Sequence, residues 1–343
     1  MTTIYYPREC TELAIFKFCS EIEACSDLDE LLIDFSPMRR IEPFTIIYVS
    51  KFIRNFKRAN KEIIIKCRGH EQKEYAANMS FFQAFGLNYG RKPNFVEGNN
   101  KFVPINVLNV RLIKEEANEK WLTGQDIIEE RSKHLAQILC QQEDTNLVNT
   151  LTFSIREIIR NVYEHSNSKN IQYCAQYWPT YNKVEISIAD DGIGLKESLK
   201  ANPFVEVKND SDAIQQALMP AISSKNYKGA RIDKSDPWHN SGFGLYMNSR
   251  ICRLGGSFLV CSGSHSIKLF ESNKEHVDLN HVCKGTVIKM VLDTSKLTEL
   301  NSMLAIFKEE GYEIAKEIKG VGRYTASAAS QMLSRDFRGF KIS

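Results

Sequence analysis

Glu157, Asn161 and His165 recur every fourth residue along a predicted helix and therefore share one of its faces. A carboxamide oxygen is a hard ligand that suits Mg²⁺, and a carboxylate one turn away can act as a general base. This stripe predicts a site that holds a metal ion beside a water molecule. The apolar residues of the same helix, among them Ile155, Ile158 and Ile159, lie mostly on its other side, against a core.

A second segment is a strand that ends in two acidic residues and two glycines, with the sequence Asp190-Asp191-Gly192-Ile193-Gly194. Asp190, at the end of the strand, can accept a hydrogen bond from an exocyclic amine of a ligand. Gly192 and Gly194 would let the backbone bend tightly beneath a flat ligand, because glycine carries no Cβ. The pattern predicts a pocket for a planar ring.

A third segment, Gly242-Phe243-Gly244-Leu245, runs directly into a predicted helix. Glycines before a helix start can form a phosphate cradle, since the free N–H groups and the positive helix end both face the anion. A weaker fourth segment, Gly285-Thr286, opens the last predicted strand.

Taken in this order, the segments resemble the N, G1, G2 and G3 boxes of the GHKL (Bergerat-fold) ATPases over roughly residues 145–293. The resemblance implies binding of ATP and Mg²⁺. It implies that Glu157 polarises the attacking water or hydroxyl and that Asn161 binds magnesium. Asp190 would bind the adenine amine, with help from Thr286 through water.

The same resemblance implies that Gly192 and Gly194 shape the adenine pocket. The G2 segment would hold the phosphates with Gly242, Phe243, Gly244 and Leu245. For His165 two interpretations remain open, a structural cap at the helix end and a phosphate contact.

The long polar insert Lys196–Asn240 takes the place of the mobile ATP lid in this comparison. Asn240 stands where the G2 box often has its first glycine, a departure that concerns the geometry of the lid. His134 is followed by Leu135 and not by an acidic residue, so a self-contained sensor histidine kinase is not expected.

The elements predicted upstream alternate between strands and helices: a strand at Leu31–Phe35, a helix at Thr45–Phe56, a strand at Glu62–Cys67 and a helix at Glu74–Phe85. Over roughly residues 20–90 this order is similar to STAS domains, in which a helix start carries a phosphorylatable serine. The equivalent position falls near Pro43 or Phe44. Thr45 is the nearest hydroxyl, and phosphorylation there is left open.

The predicted fold class is α/β, an α+β sandwich, in which a Bergerat-type mixed sheet covered by helices follows a small STAS-like domain. The predicted domains are a STAS-like unit (1–92), a connecting hairpin around residues 97–100 with helices (93–144), an ATP-binding domain (145–293) and a helical tail (294–343). Within the third domain we predict strands at 171–178, 183–189, 257–262 and 285–292, and a helix in the insert at 212–219.

Composition limits the class of protein. In 343 residues, Lys+Arg minus Asp+Glu is 45 − 42 = +3, which gives no reason to propose nucleic-acid or membrane-surface binding. No run approaches ~18 apolar residues, and the N-terminus lacks the order of a secretion signal. The nine cysteines are irregularly spaced without a C-x-x-C pair, so neither a disulfide framework nor a zinc site is indicated. A reducing cytoplasm is the expected location.

Two functions stay open at this stage. The first is Mg²⁺-dependent ATP hydrolysis, or phosphotransfer to a serine or histidine of a protein partner, in a signalling role. The alternative is a non-catalytic ATP-dependent switch in a partner-switching or defence-type complex. A homodimer is also left open. A nucleic-acid-remodelling ATPase is disfavoured because no transducer domain follows residue 293 and the charge is balanced.

Overall fold

A computed structural model describes residues 2–94, 101–140, 146–230 and 241–322. Its first three strands form a parallel sheet in the order β1-β2-β3. The elements of this part are β1 (Thr2–Tyr5), α1 (Glu12–Glu23), β2 (Glu30–Asp34), α2 (Pro43–Ala59), β3 (Ile64–Arg68), α3 (Glu74–Asn78) and α4 (Phe81–Ala84). The predicted alternation is confirmed, although the helix predicted at 74–85 is two short helices, separated where Ser80 takes a left-handed φ of 66°.

The second sheet has five strands in the order β4-β5-β6-β8-β7, and every neighbouring pair is antiparallel. Its strands are β4 (Phe102–Asn109), β5 (Asn170–Trp178), β6 (Lys183–Asp190), β7 (Ser257–Leu269) and β8 (Lys274–Asp293). The prediction of a mixed sheet is therefore wrong for the described residues. The crossover from β6 to β7 does make these two strands run in the same direction. However, β8 lies between them, so no parallel pair forms.

The helices of this larger part are α5 (Val110–Lys120), α6 (Gly124–Cys140), α7 (Asn146–His165), α8 (Gly194–Leu199), α9 (Asp210–Ala217), α10 (Gly244–Cys252) and α11 (Leu297–Glu317). Where the sequence predicted the second arm of a hairpin, β4 instead pairs with β5 and α5 begins at Val110. The turn predicted at 97–100 lies outside the described residues, as does everything beyond residue 322. None of the helices in the described ranges combines the length and apolar character needed to cross a bilayer.

Helices cover both faces of the five-stranded sheet. On one face, α6, α7 and α10 share a buried cluster with strand residues such as Ile186 and Ile288. On the other, α1 and α2 contribute to a cluster that also contains Ala189 and Val287 of the sheet. Residues 2–92 thus share one apolar core with the five-stranded sheet. Asp190 ends β6, and the turn that follows it packs against Ser166, directly after α7.

Candidate functional site

Glu157 lies at the centre of the candidate site and is completely buried. Its carboxylate is held between two arginines of the same helix, with Arg156 Nη2 at 3.0 Å from Oε1 and Arg160 Nη2 at 3.2 Å from Oε2. Oε2 accepts no hydrogen bond from the described residues and lies directly against Gly244, where an added Cβ would overlap it. The predicted base therefore contacts the start of the predicted phosphate segment, and a glycine is needed there.

Asn161 and His165 lie further along α7 and line a small cavity of about 70 Å³ together with Gly242, Gly244 and Leu245. The Asn161 carboxamide forms no hydrogen bond with any residue in the described part of the chain, so its oxygen is available to a ligand. The first and third of the predicted segments are thus brought together, although they are separated by dozens of residues in the sequence. Near the second segment, only Leu195, directly after Gly194, lines this cavity.

The His165 ring occupies the lid side of this cavity. Its Nδ1 lies 2.9 Å from Ser224 Oγ in the polar insert. Burial lowers the pKa of His165 to about 3, and the nearby charges of Lys225 and Arg160 act in the same direction. A neutral imidazole gives a bound phosphate no positive charge, so of the two interpretations this geometry favours a structural contact between α7 and the insert.

Asp190 is buried at the end of β6, with only 2% of its surface exposed. Its Oδ1 accepts a hydrogen bond of 2.7 Å from the Gly192 N–H, and the Thr286 backbone also stabilises the carboxylate. Burial raises the pKa of Asp190 to about 6, although Gly192 and the positive charge of Lys51 oppose the shift. Such a group, buried and perturbed at a turn, is typical of a functional site.

Glycines permit the tight packing around this carboxylate. A Cβ at Gly192 would overlap the carbonyl oxygen of Ser166. Gly285 has a φ of +71°, and a Cβ there would come within 2.8 Å of Asp190 Oδ1. Gly194 also takes a left-handed φ, of +75°, which L side chains rarely adopt. The pattern that predicted a tight turn at Asp190–Gly194 is confirmed at the level of the backbone.

Two of the predicted ligand-binding residues play different parts. Phe243 is fully buried and its ring packs against Tyr246 and Tyr312, so its side chain belongs to the core between α10 and α11. Leu245 lines the small cavity, as predicted for a residue near a ligand. Thr286 acts on Asp190 through its backbone.

Sequence reasoning missed the partners of Asp191. Three side chains of α2 converge on its carboxylate, with Arg54 Nη2 at 2.8 Å, Asn55 Nδ2 at 2.8 Å and Lys51 Nζ at 3.4 Å. Burial works against ionisation, but Lys51 and Arg54 outweigh it and lower the pKa of Asp191. Helix α2 thereby holds the turn that carries Asp190. A signal was present, because Lys51, Arg54, Asn55 and Arg58 form a polar stripe on a helix that is otherwise mostly apolar.

The described part of the insert, residues 196–230, folds over the cavity. Ala221 and Ile222 pack on Gly242, where an added Cβ would lie 2.6 Å from the Ala221 backbone. Asn226 holds this arrangement, since its Nδ2 donates to the carbonyls of Ala221 (2.9 Å) and Ser241 (3.1 Å). The remaining 70 Å³ is far below the ~300–1,000 Å³ typical of ligand pockets, so a nucleotide requires this segment to move. Asn240 lies outside the described residues.

The side chains at this site suit magnesium only in company with a phosphate ligand. Among the residues that the structure describes, no cluster of three His, Cys, Asp or Glu could hold a metal ion. Asn161 offers one amide oxygen beside Gly242 and Gly244, whose Cβ-free backbone leaves room for an anion. Mg²⁺ is commonly bound through one or two protein oxygens together with substrate phosphates, and this donor set fits that mode.

Comparison of the chain with family models, curated proteins and solved structures found no match. The class of protein is therefore defined by the fold and the site alone. It is an α/β protein with a parallel and an antiparallel sheet, in which one face of α7 and a glycine-rich helix start line one cavity and an aspartate turn follows β6.

The raised pKa of Asp190 predicts a pH-dependent stability. In the unfolded chain an aspartate titrates near ~3.9, so between about pH 4 and about pH 6 the folded state binds more protons. The free energy of unfolding should then fall as pH rises through that window. At about 1.4 kcal/mol per tenfold change in proton affinity, the loss is about 3 kcal/mol.

Urea unfolding of the wild type and of Asp190→Asn between pH 4 and pH 7 measures this effect. The asparagine keeps the shape of the side chain and does not titrate. We expect the stability of the wild type relative to the variant to decrease by about 3 kcal/mol across the range. Parallel pH profiles for the two proteins would contradict the assignment.

Proposed function

We propose that the protein binds Mg·ATP between α7, the Asp190 turn and the start of α10, and that bound nucleotide controls a protein partner. One observation carries this proposal: the Glu157 carboxylate lies against Gly244, and Asn161 lines one cavity with Gly242 and Gly244, so the acidic face of α7 meets the glycine-rich start of α10. In addition, Gly192 and Gly285 stand where a Cβ would collide with the backbone and with the Asp190 carboxylate. This arrangement supports the interpretation of the site as a nucleotide site of the GHKL type.

The proposed roles follow from position and chemistry. Bound Mg·ATP would supply an activated phosphoanhydride bond. Glu157 would accept the proton of the attacking water or hydroxyl, because its Oε2 is ion-paired with Arg160, accepts no hydrogen bond from the described residues and lies at the start of α10. Asn161 would hold magnesium through its unpaired carboxamide. Asp190 would accept a hydrogen bond from the adenine amine, and the N–H groups at Gly244 would face the phosphates.

A second function is favoured by the burial of Glu157. Its carboxylate is closed off by Arg156 and Arg160 and has no exposed surface. A base that reaches no water is suited to a site that binds ATP and turns it over slowly. In this alternative the protein is an ATP-dependent switch in a partner-switching or defence-type complex, and the insert is the element that changes.

Calorimetry with Asp190→Asn tests nucleotide binding. Placing a donor against the adenine amine leaves a buried polar mismatch of about 1–3 kcal/mol, so the affinity for Mg·ATP should fall about 5- to 150-fold. The control changes the nucleotide base and leaves the protein unchanged. Inosine triphosphate carries an oxygen in place of the amine and should bind the wild type weakly.

The change of residue, Asp190→Asn, and the change of base, adenine to hypoxanthine, are expected to compensate for each other in nucleotide affinity. In Asp190→Asn the preference for ATP over inosine triphosphate should shrink or reverse, because the asparagine amide can donate to the inosine oxygen. Equal binding of both nucleotides by the wild type would remove the adenine assignment. Absence of ATP binding by the wild type would remove the proposed function itself.

A further inference from the structure

A second cavity, of about 430 Å³, lies between α2 and the middle of β8, at residues 282–287. None of the residues predicted for the nucleotide site lines it. Its walls are largely apolar and aromatic, formed by Phe52, Phe56, Val282 and Val287. Its volume falls within the range of small-molecule sites, whereas the cavity beside Gly242 does not.

The charged groups of this cavity are predominantly cationic. Lys51 lies at its base, where only 4% of the side chain is exposed, and Arg58 and Lys284 stand exposed at its rim. Glu23 is the one carboxylate among the lining residues in the described chain. Neither Arg58 nor Lys284 forms an ion pair with any described residue. Two unpaired cations at the mouth of an apolar cavity create a positive potential that favours an anion.

We propose that this cavity binds a small organic anion, whose apolar or aromatic body packs on Phe52 and Phe56 and whose acidic group meets Arg58 and Lys284. The cavity is half-enclosed by side chains, which suits a compact ligand better than a protein segment. The proposal does not depend on nucleotide binding elsewhere in the molecule.

The position of the cavity connects it to the Asp190 turn. Lys51 and Asn55 line the cavity, and the same two side chains hold Asp191. A ligand that fills the cavity packs against Lys51 and Asn55, displaces them from Asp191 and so weakens the hold of α2 on the turn. The N–H groups of Gly192 and Ile193, which donate to Asp190 Oδ1 (2.7 Å) and to the Ser166 carbonyl (2.8 Å), report this change.

The test uses two fluorescent probes with the same rings. 1-Anilinonaphthalene-8-sulfonate carries the acidic group, and N-phenyl-1-naphthylamine lacks it. The double variant Arg58→Gln/Lys284→Gln should bind the sulfonate about 3- to 30-fold more weakly, as expected for the loss of two partly exposed ion pairs. Its affinity for the neutral probe should stay unchanged. The control Lys57→Gln/Lys61→Gln removes two nearby charges that do not line the cavity and should behave as the wild type.

A blocking variant separates the cavity from general surface binding. Ala59 is exposed and lines the cavity, so Ala59→Trp should fill it and lower the affinity for both probes. The sulfonate should also speed hydrogen exchange at Gly192 and Ile193 in the wild type and not in Arg58→Gln/Lys284→Gln. Equal sulfonate binding by the wild type, the blocking variant and the double variant would overturn the site. Unchanged exchange in the saturated wild type would overturn its link to Asp191.

Discussion

The variant Glu157→Gln is expected to hydrolyse ATP about 10²- to 10⁴-fold more slowly than the wild type, while the Kd for Mg·ATP stays within about threefold. Removal of a general base typically costs this much in rate, and glutamine keeps the shape of the side chain beside Gly244. Phosphate release at saturating ATP measures the rate, and calorimetry measures the binding.

Two controls make this result specific. Glu164→Gln removes another carboxylate of α7, one that also pairs with Arg160, at 3.5 Å, and it should keep the wild-type rate. The contact with Gly244 belongs to Glu157. Glu157→Gln also leaves Arg156 and Arg160 without their shared partner, which can destabilise a buried site by about 3–5 kcal/mol. Thermal unfolding therefore accompanies the assay. A folded, ATP-binding variant with the wild-type rate would refute the role of Glu157 and leave the switch as the function.

The backbone of the candidate site was predictable because its signals are local. An apolar stripe, with polar residues at every fourth position on the opposite face, predicted α7. Two acidic residues followed by two glycines predicted the turn after β6. Glycine carries the strongest of these signals, since only a residue without a Cβ fits at Gly192 and Gly244. Local patterns of this kind require no knowledge of the neighbouring elements.

Contacts between distant segments were not predictable. Nothing near Asp191 in the sequence indicates that Lys51, Arg54 and Asn55 converge on it from 136 or more residues away. The burial of Arg160 could not be predicted for a similar reason. A charged residue on a helix is usually solvated, and whether it is buried depends on which elements cover it. The antiparallel order of the second sheet likewise depends on β8 entering between β6 and β7.

At the start of α2, contacts with the larger sheet determine what a pattern in the local sequence could not predict. Thr45, the hydroxyl nearest to the position that carries the serine in STAS domains, is buried. In the first turn of α2, the Phe44 N–H instead donates a hydrogen bond of 3.0 Å to Oε1 of Glu185 in β6. A carboxylate from the larger sheet already occupies the positive end of this helix, so a phosphate there would meet a second negative group.

Some elements were missed although they carried signals. Helix α1 begins at Glu12, directly after Thr11, whose side chain accepts from the Ala14 N–H. Its buried Ile15, Cys19 and Ile22 follow helical spacing. Helix α5 follows Asn109 in the same way, with the Asn109 side chain accepting from the N–H groups of Arg111 and Leu112. Both are N-caps that could have been recognised. Strand β1 has only four residues and joins the sheet at its edge, which leaves little pattern to detect.

The segment that covers the cavity should sense the γ-phosphate. In the wild type with a non-hydrolysable ATP analogue, we expect hydrogen exchange in the insert to slow about 5- to 150-fold more than with ADP, the range of a coupling of about 1–3 kcal/mol. The reason is that Ala221–Ser224 now rest on Gly242 and His165, the place proposed for the phosphates. A nucleotide must displace this segment and then order it again around the terminal phosphate.

Gly242→Ala should abolish that difference. Gly242 has a φ of +73°, and its new Cβ would lie 2.6 Å from the Ala221 backbone and 2.7 Å from the Ile222 carbonyl oxygen, so the segment cannot dock on it. Gly229→Ala is the matched control, because Gly229 also has a left-handed φ, of +95°, but no atom of the described residues lies within 4 Å of the added Cβ. Both variants place a Cβ on a backbone with a left-handed φ, and only Gly242→Ala removes the contact. Exchange mass spectrometry of residues 196–230 measures the outcome. If Gly242→Ala keeps the difference between the ATP analogue and ADP, or if Gly229→Ala loses it equally, the insert does not sense nucleotide through this contact.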